Sequence, residues 1–168
     1  MPTDPLAEAL QNCSLHALLM LTSKTLTRAG FGDVEILDRR DTGQKSRYGG
    51  HEMCCMAAVG TVPVKVIVKV IRDDVRTRML DELAGAVLRN SADFGLIVSP
   101  YHVSASASGR QAGYRPARVE TMDGDSLASL MRCSGIAVRP SGEVDYAFLA
   151  ELEAVGERIQ EFIWKERP

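Results

Sequence analysis

The sequence contains no apolar run approaching the roughly 18 residues that would suggest a membrane span. Its start, Met1-Pro2-Thr3-Asp4-Pro5, lacks the basic segment and apolar stretch of a secretory leader. A cytoplasmic protein without membrane contact is therefore expected. Cysteine is sparse: Cys13, Cys54, Cys55 and Cys133 form no Cys-x-x-Cys pair, and adjacent cysteines do not easily bridge each other. His16, His51 and His102 are the only imidazoles and stand far apart, which argues against a zinc site and leaves small buried thiols as the expectation. Excess positive charge is missing too. The formal net charge is −2, whereas a purely electrostatic nucleic-acid binder is clearly basic. No Gly-x-Ser-x-Gly elbow accompanies the serines around Ser106, and no Gly-x-x-x-x-Gly-Lys phosphate loop occurs. No separate helix-turn-helix or zinc-finger module can be drawn either.

What is present is an ordinary globular balance, 45 % hydrophobic and 25 % charged over 168 residues, enough for one domain with a sizeable core. Two basic clusters stand out, Arg39-Arg40 with Lys45 and Arg47, and Arg72, Arg76 and Arg78. Solvation at the surface is the common fate of such clusters, and phosphate contact the rarer one.

Leucines recurring at helical intervals from Leu6 to Leu26 predict a helix over about Pro5–Ala29, with Ser14 able to cap a second portion and Gly30 ending it. A strand is expected at Asp33–Leu37, a polar loop at Asp38–Gly50, and a strand at Glu52–Val59 turned by Gly60-Thr61. Val62–Arg72 is the most informative segment. Valine fills positions 62, 64, 66, 68 and 70, while Lys65, Ile67, Lys69 and Ile71 take alternate places. Successive strand side chains point to opposite faces, so this strand carries large apolar residues on both and should be central in its sheet. Further on, the periodicity predicts a helix at Val75–Asn90, a strand at Phe94–Val98, a short helix near Ser104–Gly109 and a strand at Arg118–Met122. A helix capped by Asp125 or Ser126 and ended by Gly135, a last strand at Ile136–Val138 and a helix at Val144–Trp164 complete the series. The last helix carries an apolar stripe that either closes the core or pairs with a second copy in a homodimer. The first three strands are too closely linked for crossover helices and should form an antiparallel meander. Later strands, separated by helices, should pair in parallel. One α/β domain over residues 1–168 results, a mixed sheet flanked by helices on both faces, with its core at about 15–138 and the helix 144–164 following.

Read in that order, the chain resembles the Mrr-type restriction endonuclease family of the PD-(D/E)xK nuclease superfamily. The resemblance covers about Leu15–Val138. It rests on Ala29-Gly30-Phe31 before a Val-Glu-Ile strand, Gly49-Gly50-His51-Glu52, the strand bearing Lys69, and Asp81-Glu82-Leu83-Ala84-Gly85-Ala86. Gly95-Leu96-Ile97-Val98-Ser99 and the segment Met122 to Met131 complete it. In that family a Gly-Gly-Ile-Asp segment supplies a metal-binding acid, and Glu52 stands at its position. The following Gln-x-Lys becomes Ile67-Val68-Lys69, keeping the lysine and losing the glutamine. Glu35 matches a glutamate common in the first strand. An acid often found on the first helix has no counterpart, because Leu15–Ala29 contains no Asp or Glu.

The resemblance implies a restriction-endonuclease-like hydrolase with Glu35, Glu52 and Lys69 as its catalytic residues. Mg²⁺ or Mn²⁺ would be held by Glu52 and the main-chain carbonyl of Val68, with Glu35 or Asp41 in support. Phosphodiester hydrolysis needs charge stabilisation on phosphate and an activated water. A hard cation on oxygen ligands supplies both, and a lysine steadies the developing charge. Residues two apart on a strand share a face, so Ile67 looks into the space of Lys69 but offers no ligand. Three functions stay open at this point. One is a metal-dependent DNA endonuclease in defence against foreign DNA, with a partner protein or DNA structure choosing its target. Another is a degenerate relative that binds DNA or a protein without cutting. The third is a self-associating domain built on the last helix. Strand lysines such as Lys65 and Lys69 commonly just extend from a half-exposed sheet face, and His51 in a loop is commonly solvated.

Overall fold

The computed structural model describes residues 4–37, 50–111, 113–114 and 117–165, with side chains as far as Gly156. The expected loop residues Arg39, Arg40, Asp41, Lys45, Arg47 and Gly49 lie outside the described residues, as do the side chains of Ile159, Phe162, Ile163 and Trp164.

The first leucine-rich stretch forms two helices, α1 (Pro5–Asn12) and α2 (Leu15–Arg28). The break falls where Ser14 Oγ accepts the Ala17 amide at 3.1 Å, a side-chain cap that satisfies one of the unpaired amides of a helix start. Asp4 caps α1 in the same way, accepting the Leu6 amide at 2.8 Å. Its two oxygens also receive Arg132 at 2.6 and 3.1 Å. That forked hydrogen bond holds the Asp4 carboxyl below the usual carboxylate range and ties the start of α1 to α5.

Five strands form one sheet in chain order: β1 (Gly32–Leu37), β2 (His51–Val59), β3 (Val62–Val70), β4 (Phe94–Val98) and β5 (Arg118–Met122). The first three pair antiparallel, and β3–β4 and β4–β5 pair parallel, as the linker lengths predict. The helices α3 (Thr77–Arg89), α4 (Ala105–Gln111), α5 (Gly124–Ser134) and α6 (Tyr146–Lys165) complete the fold. The result is an α/β mixed sheet with helices on both faces.

Alternation along β3 divides the core in two. Val66, Val68 and Val70 join Met53, Cys55 and Val98 beneath α1, α2, α5 and the start of α6. Ile67 and Ile71 join Ile97 and Val119 beneath α3, whose Met79, Leu80, Leu83 and Val87 form the other side of that layer. Burial raises the thiols of Cys13 and Cys55 to about 11, so both stay protonated and inert at neutral pH. In the last helix Leu149 and Leu152 are buried in the larger layer, so that stretch of its stripe closes the core.

Two local expectations fail. Ile136–Val138 is not a strand; Val138 makes one isolated bridge to Val144, and Ala137 beside it takes a positive φ of 55° that breaks extension. The cap of α5 is Asp123, which accepts the Ser126 amide at 2.9 Å, and not Asp125 or Ser126.

Gly95 sets how close α3 lies to the sheet. A Cβ there would stand 2.7 Å from Leu83 Cγ and 2.8 Å from Val87 Cγ2. Gly95→Ala is accordingly expected to lower stability by about 1–3 kcal/mol through overpacking, read as a lower urea midpoint. An unchanged midpoint would show that α3 is not packed this tightly.

Candidate active site

Glu52 and Lys69 are direct partners in the β2–β3 register, with Cys54 opposite Ile67 one step along. Residues paired across antiparallel strands share a face, and in this sheet it is the α3 face. The chain reaches Glu52 through Gly50, whose φ is 92°. A Cβ at that position would lie 2.6 Å from the Val70 carbonyl oxygen and 2.9 Å from Ile71 Cγ2. Only a bare backbone can start β2 this close to the end of β3.

Lys69 is 0 % exposed and Glu52 6 %, which is unusual, because an ionised side chain inside a protein must be neutralised nearby. Glu82 on α3 is that neighbour. Its Oε2 lies 2.6 Å from Lys69 Nζ, and its side chain keeps 18 % exposure. Lys65 also reaches α3, donating to the Asn90 carbonyl at 2.8 Å and thereby closing the helix C-terminus. Neither lysine simply extends into solvent. The N-terminal end of α3 is held by the β4–α4 link: the Val75 amide bonds the His102 carbonyl at 2.9 Å, and Ser104 returns to Val75 at 3.1 Å.

The other residues singled out from sequence fall into place around this group. Glu35 pairs with Cys54 and so lies on the same face, but it is exposed, one diagonal step from Glu52. Ile67 is 0 % exposed and packs into the α3 layer as a core residue. Val68 turns its side chain into the opposite layer and sits mid-ladder, between Met53 of β2 and Leu96 of β4. His51 pairs with Val70 and therefore belongs to the face away from Glu52. Asp41 lies outside the described residues.

Glu82 was not among the residues expected to act. The family pattern puts its glutamine two places before the lysine, where this strand has Ile67. The acid that approaches the lysine comes instead from the following helix, within the Asp81-Glu82 segment that contributed to the resemblance.

The carboxylates of Glu52, paired in register with Lys69, and of Glu82, bonded to it, are hard oxygen donors of the kind that suits a small divalent cation with waters filling the remaining positions. Among the described residues no group of three His, Cys, Asp or Glu side chains is set to hold an ion, so any site here is lean in side-chain ligands. A cleft of about 470 Å³ lined by Ser23, Lys24, Arg28, Asp145 and Phe148 belongs to the α2–α6 layer. Its apolar lining belongs to the core layer on the sheet face opposite Lys69.

A family model for the Mrr catalytic domain, described as a restriction endonuclease, matches residues 10–131. No curated protein matches the chain. Among solved structures, the DNA modification-dependent restriction endonuclease AspBHI superposes with a TM-score of 0.59 at 16 % identity, over 92 % of this chain and 41 % of that protein. The MspJI restriction endonuclease, determined in complex with a 27-mer oligonucleotide, gives 0.56 at 16 % identity, over 90 % and 36 % respectively. This chain thus spans about two fifths of the length of either. Among the described residues no helix is long and apolar enough to cross a membrane.

The pair itself can be tested by stability. Removing one partner of a buried ion pair strands the other, whereas replacing both with apolar groups of like volume is often neutral. Glu82→Ala is expected to lower unfolding stability by about 2–4 kcal/mol, and Lys69→Met with Glu82→Leu to return within about 1 kcal/mol of wild type. Equal losses in the single and double variants would contradict a neutralising contact.

Proposed function

The chain belongs to the restriction endonuclease family that carries the Mrr catalytic domain, and from that premise we propose that it hydrolyses DNA phosphodiester bonds at Glu52, Lys69 and Glu82. The observation that carries this reading is a fully buried lysine ammonium 2.6 Å from Glu82, in a strand position paired with the buried Glu52. A positive charge fixed in a low-dielectric setting is worth far more to a developing phosphorane than one in water.

In the reaction a water oxygen bonds to phosphorus while the bond from phosphorus to the leaving oxygen breaks, and that oxygen takes up a proton. Lys69 stabilises the negative charge gathering on the phosphate oxygens. Glu52 holds the attacking water by accepting one of its hydrogen bonds. Glu82 fixes where the Lys69 ammonium points. Glu52 and Glu82 would also hold Mg²⁺ or Mn²⁺, which supplies Lewis-acid charge and lowers the pKa of a bound water. The Val68 carbonyl and Glu35 are secondary ligands in this reading, the first from the main chain and the second from the exposed rim.

The family supports a role in defence against foreign DNA, and the similarity to a modification-dependent enzyme supports a target set by chemical marks on DNA. The residues described here supply a cutting domain. Choice of target then falls to a partner or to DNA structure. A second reading, DNA binding without cleavage, is favoured by Ile67 at the position where the family keeps a glutamine.

Supercoiled plasmid incubated with the protein and Mg²⁺ or Mn²⁺ separates the two. Glu52→Gln, Lys69→Ala and Glu82→Gln should each slow nicking by about a hundredfold or more, and Glu35→Gln by less than about tenfold. Nicking that survives the three inner substitutions refutes this centre. A salt-dependent gel shift with no nicking by the wild type establishes the second reading in its place.

A further inference from the structure

The cleft on the sheet face opposite Lys69 is lined by three pieces of chain: the last turns of α2, the α5–α6 loop at 135–138, and Phe148 in the first turn of α6. From α2 come Lys24 and Arg28. Both are exposed, and neither makes an ion pair or a side-chain hydrogen bond among the described residues. No acid stands on α2 to offset them. Like charges four residues apart on a helix repel, and their Cβ atoms lie about 5–6 Å from each other, close enough for one anion to bond both. Asp145, the acid in the cleft, is already engaged through Oδ1, which accepts the Phe148 amide at 3.2 Å and lies 3.9 Å from Arg139 Nε. Its Oδ2 has no partner among the described residues. The loop adds an independent sign. Ala137 is 4 % exposed and takes a φ of 55°, a left-handed backbone that residues with a Cβ seldom adopt. Val138 meets Val144 in a single bridge, closed by Arg139 N to the Glu143 carbonyl at 2.8 Å and Asp145 N to the Ala137 carbonyl at 2.9 Å. That pattern turns the Val138 amide out of the bridge. The amides of Ala137 and Val138 thus make no hydrogen bond among the described residues, although nearly every buried amide in a folded protein has a partner.

We propose that this cleft binds a nucleoside monophosphate, at a site separate from the cutting centre and independent of whether that centre cuts. The phosphate lies between Lys24 and Arg28 and accepts from the amides of Ala137 and Val138, which supplies the acceptors those donors lack. Asp145 Oδ2 accepts from a sugar hydroxyl. The planar base lies against the half-buried ring of Phe148 and the apolar side chains of the loop. A volume of about 470 Å³ falls within the range of about 300–1,000 Å³ usual for small-molecule sites. Inorganic phosphate alone would satisfy the cations and leave both Asp145 and the apolar wall unmet. Strained backbone beside unpaired donors is the arrangement expected where a ligand completes the hydrogen bonding.

The test is a titration of the full ¹⁵N-labelled chain with AMP, without divalent cation, followed by amide chemical shifts, with adenosine and inorganic phosphate titrated separately. The Ala137 and Val138 signals should move with AMP while those of Lys69 and Glu82 stay in place, and adenosine and phosphate should each bind at least about tenfold more weakly. Lys24→Gln and Arg28→Gln should each weaken AMP binding by about tenfold or more, the loss typical of a hydrogen bond to a charged group. Arg89→Gln is the control: it is exposed on α3, whose buried side chains belong to the other layer, and its loss should leave the affinity unchanged. Unaltered melting temperatures will show that the variants are folded, all three side chains being exposed. No shift at millimolar AMP, an affinity that survives both α2 substitutions, or shifts confined to Lys69 and Glu82 overturns the proposal. Inorganic phosphate binding as tightly as AMP overturns the assignment of a nucleoside.

Discussion

A lysine ammonium without solvent contact, in the middle strand of a five-stranded sheet, constrains everything around it. Desolvating that charge is tolerable only if an acid meets it at hydrogen-bond distance, and Glu82 does so from α3 at 2.6 Å. The second lysine on the same face, Lys65, reaches the Asn90 carbonyl at the far end of the helix. Four residues of strand span about 13 Å, and the eight helical residues from Glu82 to Asn90 span about 12 Å. The strand and the helix that returns over it are thus matched in length at two polar contacts. Between those contacts Gly95 lets Leu83 and Val87 close onto the sheet. Position along α3 is set by the lysines, and depth by the glycine.

In this chain the strand offers no oxygen ligand two residues before the lysine. Ile67 is fully buried and contributes to the core. An acid arriving from the helix stands on the same side of Lys69 without needing that strand position. Glu52, paired with Lys69 across β2–β3, adds the second carboxylate. The cost is a polar group in a layer that is otherwise apolar, and buried ion pairs seldom stabilise more than apolar pairs would.

Much of the fold was legible in the residues. The valine row at 64, 66, 68 and 70 and the alternating Lys65, Ile67, Lys69 and Ile71 describe a central strand with two different faces, and the short early linkers describe a meander. The facing of Glu52 towards Lys69 follows once the turn at Gly60-Thr61 fixes the hairpin register. What could not be read was the angle at which α3 presents its surface to the sheet. That angle depends on packing around Gly95 and on the link between Val75 and His102, contacts between segments far apart in the chain. Glu82 was therefore visible only as an ordinary helical acid. The missing strand at Ile136–Val138 has a similar origin: apolar residues suggested extension, whereas the left-handed Ala137 turns the chain towards α6. For α5, Asp125 and Ser126 were the expected caps, and the backbone conformation puts the cap at Asp123, two residues before the nearer of them.

If an acid from α3 completes a cation-binding set, as proposed, metal affinity must depend on Glu82. Titration of the protein with Mn²⁺, followed by electron paramagnetic resonance, tests it without reference to turnover. Wild type should bind Mn²⁺, and Glu82→Gln and Glu52→Gln should each weaken that binding by about tenfold or more. Mn²⁺ affinity unchanged by Glu82→Gln would contradict the account.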